Sequence, residues 1–276
     1  MSEFGQHLGK DILKSGWLTV EYAGVNHQVE VAQTVEQLAE AKALDDLAFS
    51  GQVGISMVEL QEIMANGAVL LMRNTEGNLI GESQVITTPV SEHPILEPDE
   101  AYNYGTAILP GLQSHGLAQV LYKAQELVAV EAGKTRSTLT VRLENAQSLR
   151  GRFKAGFHII GYDPDHYGPF EEGGARMIME KNFYNPNGLV NAFVLSELFN
   201  TGEISELSEN NTNFQMGKAQ SMYSIKIHPG DSIDYRAHSL VSKIMETGNH
   251  LGIGLLKPTE LRGNASGSSM LIFKQK

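Results

Sequence analysis

The chain has 276 residues, no cysteine and a formal net charge of −11 at pH 7. The lack of cysteine excludes disulfides, thiolate metal ligands and a cysteine nucleophile, and the acidic balance disfavours nucleic acid, whose phosphates are bound by clustered Lys and Arg. The first 15 residues lack the apolar run of a signal peptide, and no segment reaches the ~18–20 apolar residues of a membrane span, so we expect a cytoplasmic protein with no membrane contact.

The chain opens with a predicted β-hairpin and two helices. Residues 17–22 and 28–32 alternate polar and apolar residues around a Gly-Val-Asn turn, which is typical of a hairpin. Thr34 and Ser56 are each followed three residues later by Gln or Glu, the capping-box pattern that opens a helix. We therefore expect helices that begin directly after these two residues.

Strands are predicted next, over residues 68–73 and 79–87, with a turn-forming run between them. The three prolines of residues 88–98 predict a loop. An apolar strand then ends at residue 109, and a long amphipathic helix follows over 117–132.

The most informative segment runs from Ile108 to Ala118, where the strand ends at a proline and a turn of small residues opens the helix. The first amide N–H groups of such a helix are unpaired and point beyond the strand end. Together with the positive end of the helix dipole they favour a phosphate or pyrophosphate. Gly116 has no Cβ to obstruct a ligand. The segment therefore predicts a site for a phosphorylated cofactor.

The spacing Gln-x-x-Gly-x-Ala over residues 113–118 resembles the acyl-CoA loop of the GNAT superfamily, whose members are N-acyltransferases. Further similarities follow in the family's order: a strand, Asn145 with Ser148 three residues later, and a Gly-Phe pair at 156–157 that opens the next strand. The resemblance covers roughly residues 29–182. It implies an α/β (α+β) fold with a mixed, twisted sheet flanked by helices, and acetyl-CoA as cosubstrate.

The resemblance also implies how the cofactor is held. Backbone groups at the end of the central strand would pair with the pantetheine arm, the amides of the loop would bind the pyrophosphate, and the Asn–Ser pair would face the pantetheine. His115 either contacts phosphate or lies in solvent. The predicted cofactor-binding residues are Ala107, Ile108, Leu109, Gln113, Ser114, His115, Gly116, Leu117, Ala118, Asn145 and Ser148.

The catalytic base and acid do not fall at the positions that the family uses. Where some members carry a glutamate base, eleven residues before the Gln of the loop, this chain has Tyr102, with Glu100 two residues earlier on the same strand face. Where many members carry a tyrosine acid, this chain has Arg152, which either favours the thiolate or lies on the helix surface. The candidate catalytic residues are Glu100, Tyr102, Tyr104, Tyr162 and Tyr167, each of which is otherwise a core or surface residue.

A polar, Asn-rich linker over residues 182–187 precedes a region that resembles no family. Its predicted elements are a helix over 189–199, a polar stretch over 203–213, a strand over 221–228, a helix over 232–247, and strands over 251–256 and 269–274. We therefore divide the chain into a GNAT-like domain over residues 1–182, with residues 1–28 as an N-terminal hairpin, and a small α+β region over 183–276. The strands of that region offer a surface for a homodimer.

The predicted function is transfer of an acetyl group from acetyl-CoA to a primary amine of a small molecule or peptide. Attack on the thioester is direct, because there is no cysteine to carry an intermediate. Two alternatives stay open, a non-catalytic acyl-CoA sensor and a protein-interaction module that keeps the fold. The sequence lacks the glycine motifs of serine hydrolases, nucleotide triphosphatases and dehydrogenases, and its acidic loop near residue 165 lacks the matched ligands of a metal site.

Overall fold

The computed structural model describes residues 16–49, 54–93, 95–184, 205–206, 222–227, 234–246, 250–256 and 269–275. The chain divides into two compact units. One comprises Met1–Thr138 with Asn182–Tyr184, and the other Leu139–Lys181 with Asn185–Lys276. In the part of the chain that is described, no helix is long and apolar enough to cross a membrane.

The first unit contains a sheet with helices on both faces. Its elements in chain order are β1 (Trp17–Tyr22), β2 (Val25–Val31), α1 (Val35–Ala48), α2 (Met57–Asn66), β3 (Gly67–Arg73), β4 (Leu79–Ile86), β5 (Glu100–Ile108), α3 (Leu117–Glu131) and the start of β6 (Arg136–Val141). The strands lie in chain order. Neighbours from β1 to β5 are antiparallel, and β6 is parallel to β5. The sheet is therefore mixed, as predicted.

Both predicted capping boxes are confirmed at the starts of α1 and α2. The Thr34 hydroxyl accepts a hydrogen bond from the backbone N–H of Gln37 at 3.3 Å, and the Gln37 side chain accepts one from the Thr34 N–H at 3.1 Å. The same reciprocal pair joins Ser56 and Glu59, at 3.1 and 2.7 Å. Each box satisfies two N–H groups that the helix itself leaves unpaired, which explains why the helices begin there.

The buried run of β3 supplies apolar side chains to two cores. Ala68, Leu70 and Met72 pack in the core that includes α3, whereas Val69 and Leu71 pack in the core that includes α1 and α2. Successive side chains of a strand point to opposite faces, so a strand covered on both faces is apolar throughout. Helices therefore cover both faces of this sheet.

A β-bulge interrupts the pairing of β4 with β5. Gln84 lies opposite Gly105 and Val85 lies opposite Asn103, so Tyr104 is the extra residue on β5. A bulge bends its strand and changes the direction in which side chains point. Here it lies in the middle of the strand that precedes the predicted cofactor loop.

The second unit continues β6 and adds helices and strands from the C-terminal part of the chain. Its further elements are α4 (Ala146–Lys154), β7 (His158–Asp163), a 3-10 turn (Phe170–Glu172), β8 (Arg176–Asn182), β9 (Ser205–Glu206), β10 (Met222–Ile227), α5 (Tyr235–Glu246), β11 (His250–Leu256) and β12 (Ser269–Gln275). Its strands lie in the order β6-β8-β7-β11-β12-β10-β9. Apart from β9, which runs parallel to β10, the neighbours from β8 onward are antiparallel.

One core of the second unit joins residues from both sides of the predicted boundary at 182. Leu139, Phe157 and Met179 share a buried cluster with Val241 of α5 and Phe273 of β12. The two compact units are therefore not the two predicted domains, because each unit contains separate segments of the chain. The division into domains at residue 182 stays a prediction. The expected strands and second helix of the C-terminal region are present. The helix expected over 189–199 and most of the polar stretch over 203–213 lie outside the described residues.

Candidate active site

The loop between β5 and α3 has an unusual backbone. Gly111, Ser114 and Gly116 all have positive φ, at 88°, 66° and 83°. Glycine adopts such angles readily, whereas Ser114 does so at a cost on the order of 1 kcal/mol. The predicted turn is therefore present and tightly folded, and strained positions of this kind cluster at functional sites.

The helix α3 begins without a side-chain cap. Gly116 is its N-cap residue in the left-handed conformation, and no side-chain hydrogen bond caps this end of the helix. The N–H of Gln119 donates to the Gly116 carbonyl at 2.9 Å. The amides of Leu117 and Ala118 belong to the first turn, whose N–H groups have no partner within the helix. They carry the positive end of the dipole and suit an anion.

Two side chains of the loop hold its shape. His115 Nδ1 lies 2.8 Å from the Gln113 carbonyl and 3.3 Å from the Leu112 carbonyl, so this nitrogen carries a proton and donates into the turn. Gln113 Nε2 donates to the Ile108 carbonyl at 3.4 Å, which links the loop to the end of β5. His115 is exposed.

The backbone of Leu109 is already paired. Its N–H donates to the Ile80 carbonyl at 2.9 Å, and its carbonyl accepts from the Leu112 N–H at 3.0 Å. The strand pairing with β4 and the turn therefore use the polar backbone groups of Leu109, and its role in holding the pantetheine arm stays a prediction.

Of the predicted pantetheine residues on β5, Ile108 is the one whose backbone groups face away from β4, and its carbonyl accepts from Gln113 Nε2 at 3.4 Å. Ala107 lies directly opposite Glu82, two residues from the paired Leu109, so its backbone groups face β4. The backbone N–H and carbonyl of Ile108, the next residue, point to the opposite edge of β5. On that edge the ladder between β5 and β6 ends at Tyr102 and Thr138. This leaves Ile108 beyond the last residue pair of that ladder.

Two of the candidate tyrosines lie on the sheet face that α1 and α2 cover. Tyr102 is buried and stacks on His93, with ring centroids 3.9 Å apart. The Tyr104 hydroxyl donates to Glu59 Oε1 at 2.9 Å. Burial raises the pKa of Glu59, but hydrogen bonds from Ser56 and Tyr104 outweigh it and hold the pKa below its usual value. An ionised carboxylate therefore lies beside the bulged residue of β5.

The sequence indicates only the capping role of Glu59, and its second contact is visible only in the structure. The cap is visible in the sequence because its partners are three residues apart. Tyr104 is 45 residues away from Glu59, and no local pattern relates the two.

The candidate base Glu100 is held in the ladder between β5 and β6. It pairs with Arg136, with 3.1 Å between Oε2 and Nη2, and accepts a hydrogen bond from the Thr138 hydroxyl. Both carboxylate oxygens therefore have protein donors. The geometry favours a structural role for Glu100 and leaves its catalytic role a prediction.

A second carboxyl that sequence analysis missed lies inside the first unit. Glu82 of β4 is fully buried, its Oε2 accepts from the Gln84 side chain, and among the described residues its Oε1 has no partner. Burial, and then the nearby charge of Asp45, raise the pKa of Glu82 well above its usual value. The signal in the sequence was a glutamate inside a strand that is otherwise buried.

In the second unit, Asn145 and Ser148 contact each other. The Asn145 side chain accepts from the Ser148 N–H at 3.0 Å and so caps α4. Arg152 is buried, with its guanidinium 5.6 Å from the centre of the Phe157 ring. The expectation that Arg152 lies on the helix surface is therefore wrong, because this face of α4 packs into the unit.

The other two candidate tyrosines have different surroundings. Tyr167 is 53% exposed and stacks under Arg176, with 4.8 Å from the guanidinium carbon to the ring centre. The Tyr162 hydroxyl lies 2.8 Å from His238 Nδ1, and His238 Nε2 lies 2.5 Å from Glu144 Oε1. Burial raises the pKa of Tyr162 to about 12, with Glu144, Asp165 and Asp163 adding to the effect. Neither His238 nor Glu144 was singled out by sequence analysis.

Among the described residues, no group of three or more His, Asp or Glu side chains is placed to hold a metal ion. Asp163 and His166 form a pair, with 3.2 Å between Oδ2 and Nδ1. Two ligands from one short loop do not make a site for a hard cation, which prefers six or more oxygens.

No protein-family model matches the sequence, and no curated protein does. Solved structures match it in part. These neighbours are GNAT acetyltransferases. The ribosomal-protein-S18-alanine N-acetyltransferase of Escherichia coli is 18% identical, with a TM-score of 0.45 over 55% of this chain and 90% of that one.

Two further neighbours are similar to the same extent. A GNAT acetyltransferase of Listeria monocytogenes is 16% identical, with a TM-score of 0.47 over 60% of this chain and 100% of that one. An acetyltransferase of Bacillus subtilis solved in complex with CoA is 19% identical, with a TM-score of 0.43 over 56% and 97%. The predicted fold class, a mixed sheet flanked by helices, is confirmed by the strand pairing and the helix packing described above.

Proposed function

We propose that this protein transfers an acetyl group from acetyl-CoA to a primary amine. The observation that carries the proposal is the start of α3, where a left-handed glycine replaces a side-chain cap and leaves first-turn amides available to an anion. In the GNAT-like reading of the loop, that anion is the pyrophosphate of CoA. The pantetheine arm then runs along the edge of β5 at Ile108.

Gly116 also explains how the cofactor approaches. A Cβ at this position would lie 3.4 Å from the nearest atom of Tyr22, an ordinary contact, so the protein itself does not require glycine for space. Its left-handed φ of 83° and the space that a ligand needs are what favour glycine. A ligand that packs against the backbone here would need both properties.

The base for the amine belongs, in this proposal, to the α1/α2 face of the sheet. Glu59 is ionised and hydrogen-bonded to the Tyr104 hydroxyl, so it can take a proton from an ammonium group directly or through one water. Attack of the neutral amine on the thioester then expels CoA. The net charge of −11 favours a cationic acceptor, such as a small amine or a peptide amine.

Thermal unfolding with acetyl-CoA, CoA, ATP and NAD tests the cofactor. A ligand at ~100 times its dissociation constant stabilises a protein by about 2.7 kcal/mol, so acetyl-CoA and CoA should raise Tm and the other two should not. Release of CoA with a panel of primary amines then tests the reaction. Binding without release would indicate a sensor, and no binding at all would indicate an interaction module.

A pair of matched variants locates the site. Gly116→Asp adds a carboxylate at the start of α3 that competes for the amides and repels phosphate, so CoA binding should weaken on the order of tenfold or more. Gly133→Asp is the control, since Gly133 also has positive φ, at 77°, and lies just after the other end of the helix. Equal effects of the two substitutions on CoA affinity would show that the cofactor binds elsewhere.

A further inference from the structure

A polar side chain lies in the middle of the buried face of α3. Gln125 is fully buried, and its neighbours on that face of the helix, such as Leu121 and Val128, are apolar. A polar group that is taken out of water costs free energy unless it is hydrogen-bonded. The role of Gln125 is therefore found in its hydrogen bonds.

The side-chain amide of Gln125 binds the strand pair beside the β-bulge. Its Nε2 donates to the Gln84 carbonyl of β4 at 2.9 Å and to the Gly105 carbonyl of β5 at 3.2 Å. A side-chain amide has two N–H donors, and these two bonds account for both. Gln84 and Gly105 are the last residues that lie opposite each other before the extra residue, Tyr104. Gln125 therefore joins α3 to both strands at the border of the bulge.

The bulge sets the direction of the Tyr104 side chain, because the extra residue of a bulge points differently from a residue of a regular strand. Tyr104 lies on the sheet face that α1 and α2 cover, and there its hydroxyl donates to Glu59 Oε1 at 2.9 Å. The helix α3 covers the opposite face. Gln125 therefore holds the bulge from one face of the sheet, and the bulge directs Tyr104 to Glu59 on the other.

We propose that Gln125 is a positioning residue for the base, because it holds the bulge in the conformation that places the Tyr104 hydroxyl on Glu59. The proposal rests on the acetyl transfer proposed above, with Glu59 as the base. The helix that carries Gln125 is also the one whose first amides bind the pyrophosphate in that proposal. One helix then sets the positions of both the cofactor and the base. Such positioning matters for a transfer between two substrates, where a misplacement of about 1 Å can cost on the order of 10²-fold in rate.

Removal of the Gln125 amide has a defined effect on Glu59. Without its two hydrogen bonds the border of the bulge can relax, and Tyr104 is no longer held on Glu59. Burial raises the pKa of Glu59, whereas hydrogen bonds from Ser56 and Tyr104 lower it. Loss of the Tyr104 bond therefore raises this pKa, so that the carboxylate is protonated over a wider range of acidic pH and the rate falls most there.

Other titratable groups surround Glu59 and Tyr104, either in direct interaction with them or through Asp45. They are Asp45 and Lys42 of α1, Glu82 of β4, and His93 of the loop before β5. The Gln84 side chain donates to Glu82, so a change at the Gln84 carbonyl can reach this group as well. Tyr104→Phe leaves β4 and these groups in place, and it therefore shows what the loss of the single hydrogen bond does to Glu59.

Carbon NMR titration of the Glu59 carboxyl group in the full-length protein tests the positioning without cofactor or turnover. Gln125→Met keeps the length of the side chain and removes both donors, so it should raise the pKa of Glu59 as Tyr104→Phe does. The double variant should show no more than the shift of Tyr104→Phe. Gln125→Glu is protonated where it is buried and keeps one donor, so its shift should be smaller, and it carries the test if Gln125→Met does not fold. Val128→Ala is the control: it removes apolar packing from the same helix and should leave the titration of Glu59 unchanged.

The rate of CoA release, with acetyl-CoA and the amine that the panel identifies, completes the test. Gln125→Met should lower kcat/KM by up to about 10²-fold, move the acidic limb of its pH profile to higher pH, and leave the affinity for CoA unchanged. A Glu59 titration that is unchanged in both Gln125 variants, or that shifts as much in Val128→Ala, would overturn the positioning role while acetyl transfer stands. A wild type that binds no CoA, or releases none with any amine, would overturn both.

Discussion

At the scale of single residues, buried carboxyl groups carry the strongest physical consequences in this protein. Glu82 is buried in β4 beside the polar residues Ser83 and Gln84, and its neighbour Asp45 is buried as well. Burial raises the pKa of both groups. The folded protein therefore keeps protons on these groups at pH values where the unfolded chain has begun to release them, and its stability depends on pH in a defined direction.

We predict that Glu82→Gln flattens this dependence. The pKa of Glu82 is raised on folding, so its contribution to stability is present below the usual glutamate value and is lost as pH rises above it. The free energy of unfolding should fall by up to about 1.4 kcal/mol per pH unit in that window. Urea unfolding from pH 4 upward should show a shallower slope for Glu82→Gln than for the wild type. Glu21 is exposed, so Glu21→Gln is the control and should keep the slope of the wild type. Equal slopes for Glu82→Gln and the wild type would contradict the prediction.

Glu59 combines two roles that one substitution separates. It caps α2 through the Ser56 N–H and accepts from the Tyr104 hydroxyl. Gln37 makes the same cap at the start of α1, so glutamine suffices for capping but has no charge and no basicity.

We predict that Glu59→Gln lowers the rate of CoA release with an amine on the order of 10²-fold, because the base is lost, and changes Tm little. Ser56→Ala is the complementary variant: it removes the hydroxyl of the cap and keeps the carboxylate, so stability should fall more than rate. An unchanged rate in Glu59→Gln would exclude Glu59 as the base and would leave Glu100 as the candidate base.

At the scale of elements, local hydrogen bonds decide where the helices begin. The capping boxes of α1 and α2 pair residues three positions apart, and α3 begins with a left-handed glycine instead. The starts of all three helices are determined by residues that are at most three positions apart in the sequence. In the proposed function, the start of α3, which has no side-chain cap, is where the anion of the cofactor binds.

We predict that Thr34→Ala lowers the free energy of unfolding by about 1 kcal/mol, because the Gln37 N–H loses its acceptor. Thr34→Ser keeps the hydroxyl and should stay within a few tenths of a kcal/mol of the wild type. Chemical denaturation of the two variants side by side measures the difference. Equal losses would assign the effect to packing of the threonine methyl group.

At the scale of the whole molecule, the C-terminal region completes a core. Residues of β10, α5, β11 and β12 share one buried cluster with residues of β6, α4, β7 and β8. Such a cluster contributes about 25 cal/mol for each Å² of apolar surface that it buries. The part of the second unit that precedes residue 182 therefore depends on the part that follows it.

We predict that a chain that ends at Asn182 loses cooperative unfolding or aggregates, because large side chains such as Leu139, Phe157 and Met179 lose their partners. Circular dichroism melts and size-exclusion chromatography against the full chain measure this. A truncated chain that is monomeric and unfolds cooperatively would instead support an independent domain over residues 1–182.

The sequence by itself determined the order and type of the described elements apart from β9 and the 3-10 turn, the starts of α1 and α2, and the loop that precedes α3. These features depend on neighbours: a cap needs a partner three residues away, a turn needs glycine where φ is positive, and a buried strand needs a continuous apolar run. The resemblance to acyl-CoA loops also rests on residues close together in the sequence. For that reason the sequence pointed to Gly116 and its neighbours, which remain the predicted cofactor site.

Only the tertiary structure decided which polar groups meet. Tyr104 reaches Glu59 across 45 positions, Tyr162 reaches His238 across 76, and His238 reaches Glu144 across 94. Likewise, only strand pairing showed that Leu109 is already bonded to β4, and only burial set the pKa of Glu82. The pKa of a side chain depends on its burial and on charges within a few ångströms, and the order of strands in a sheet, not distance along the chain, brings those charges together.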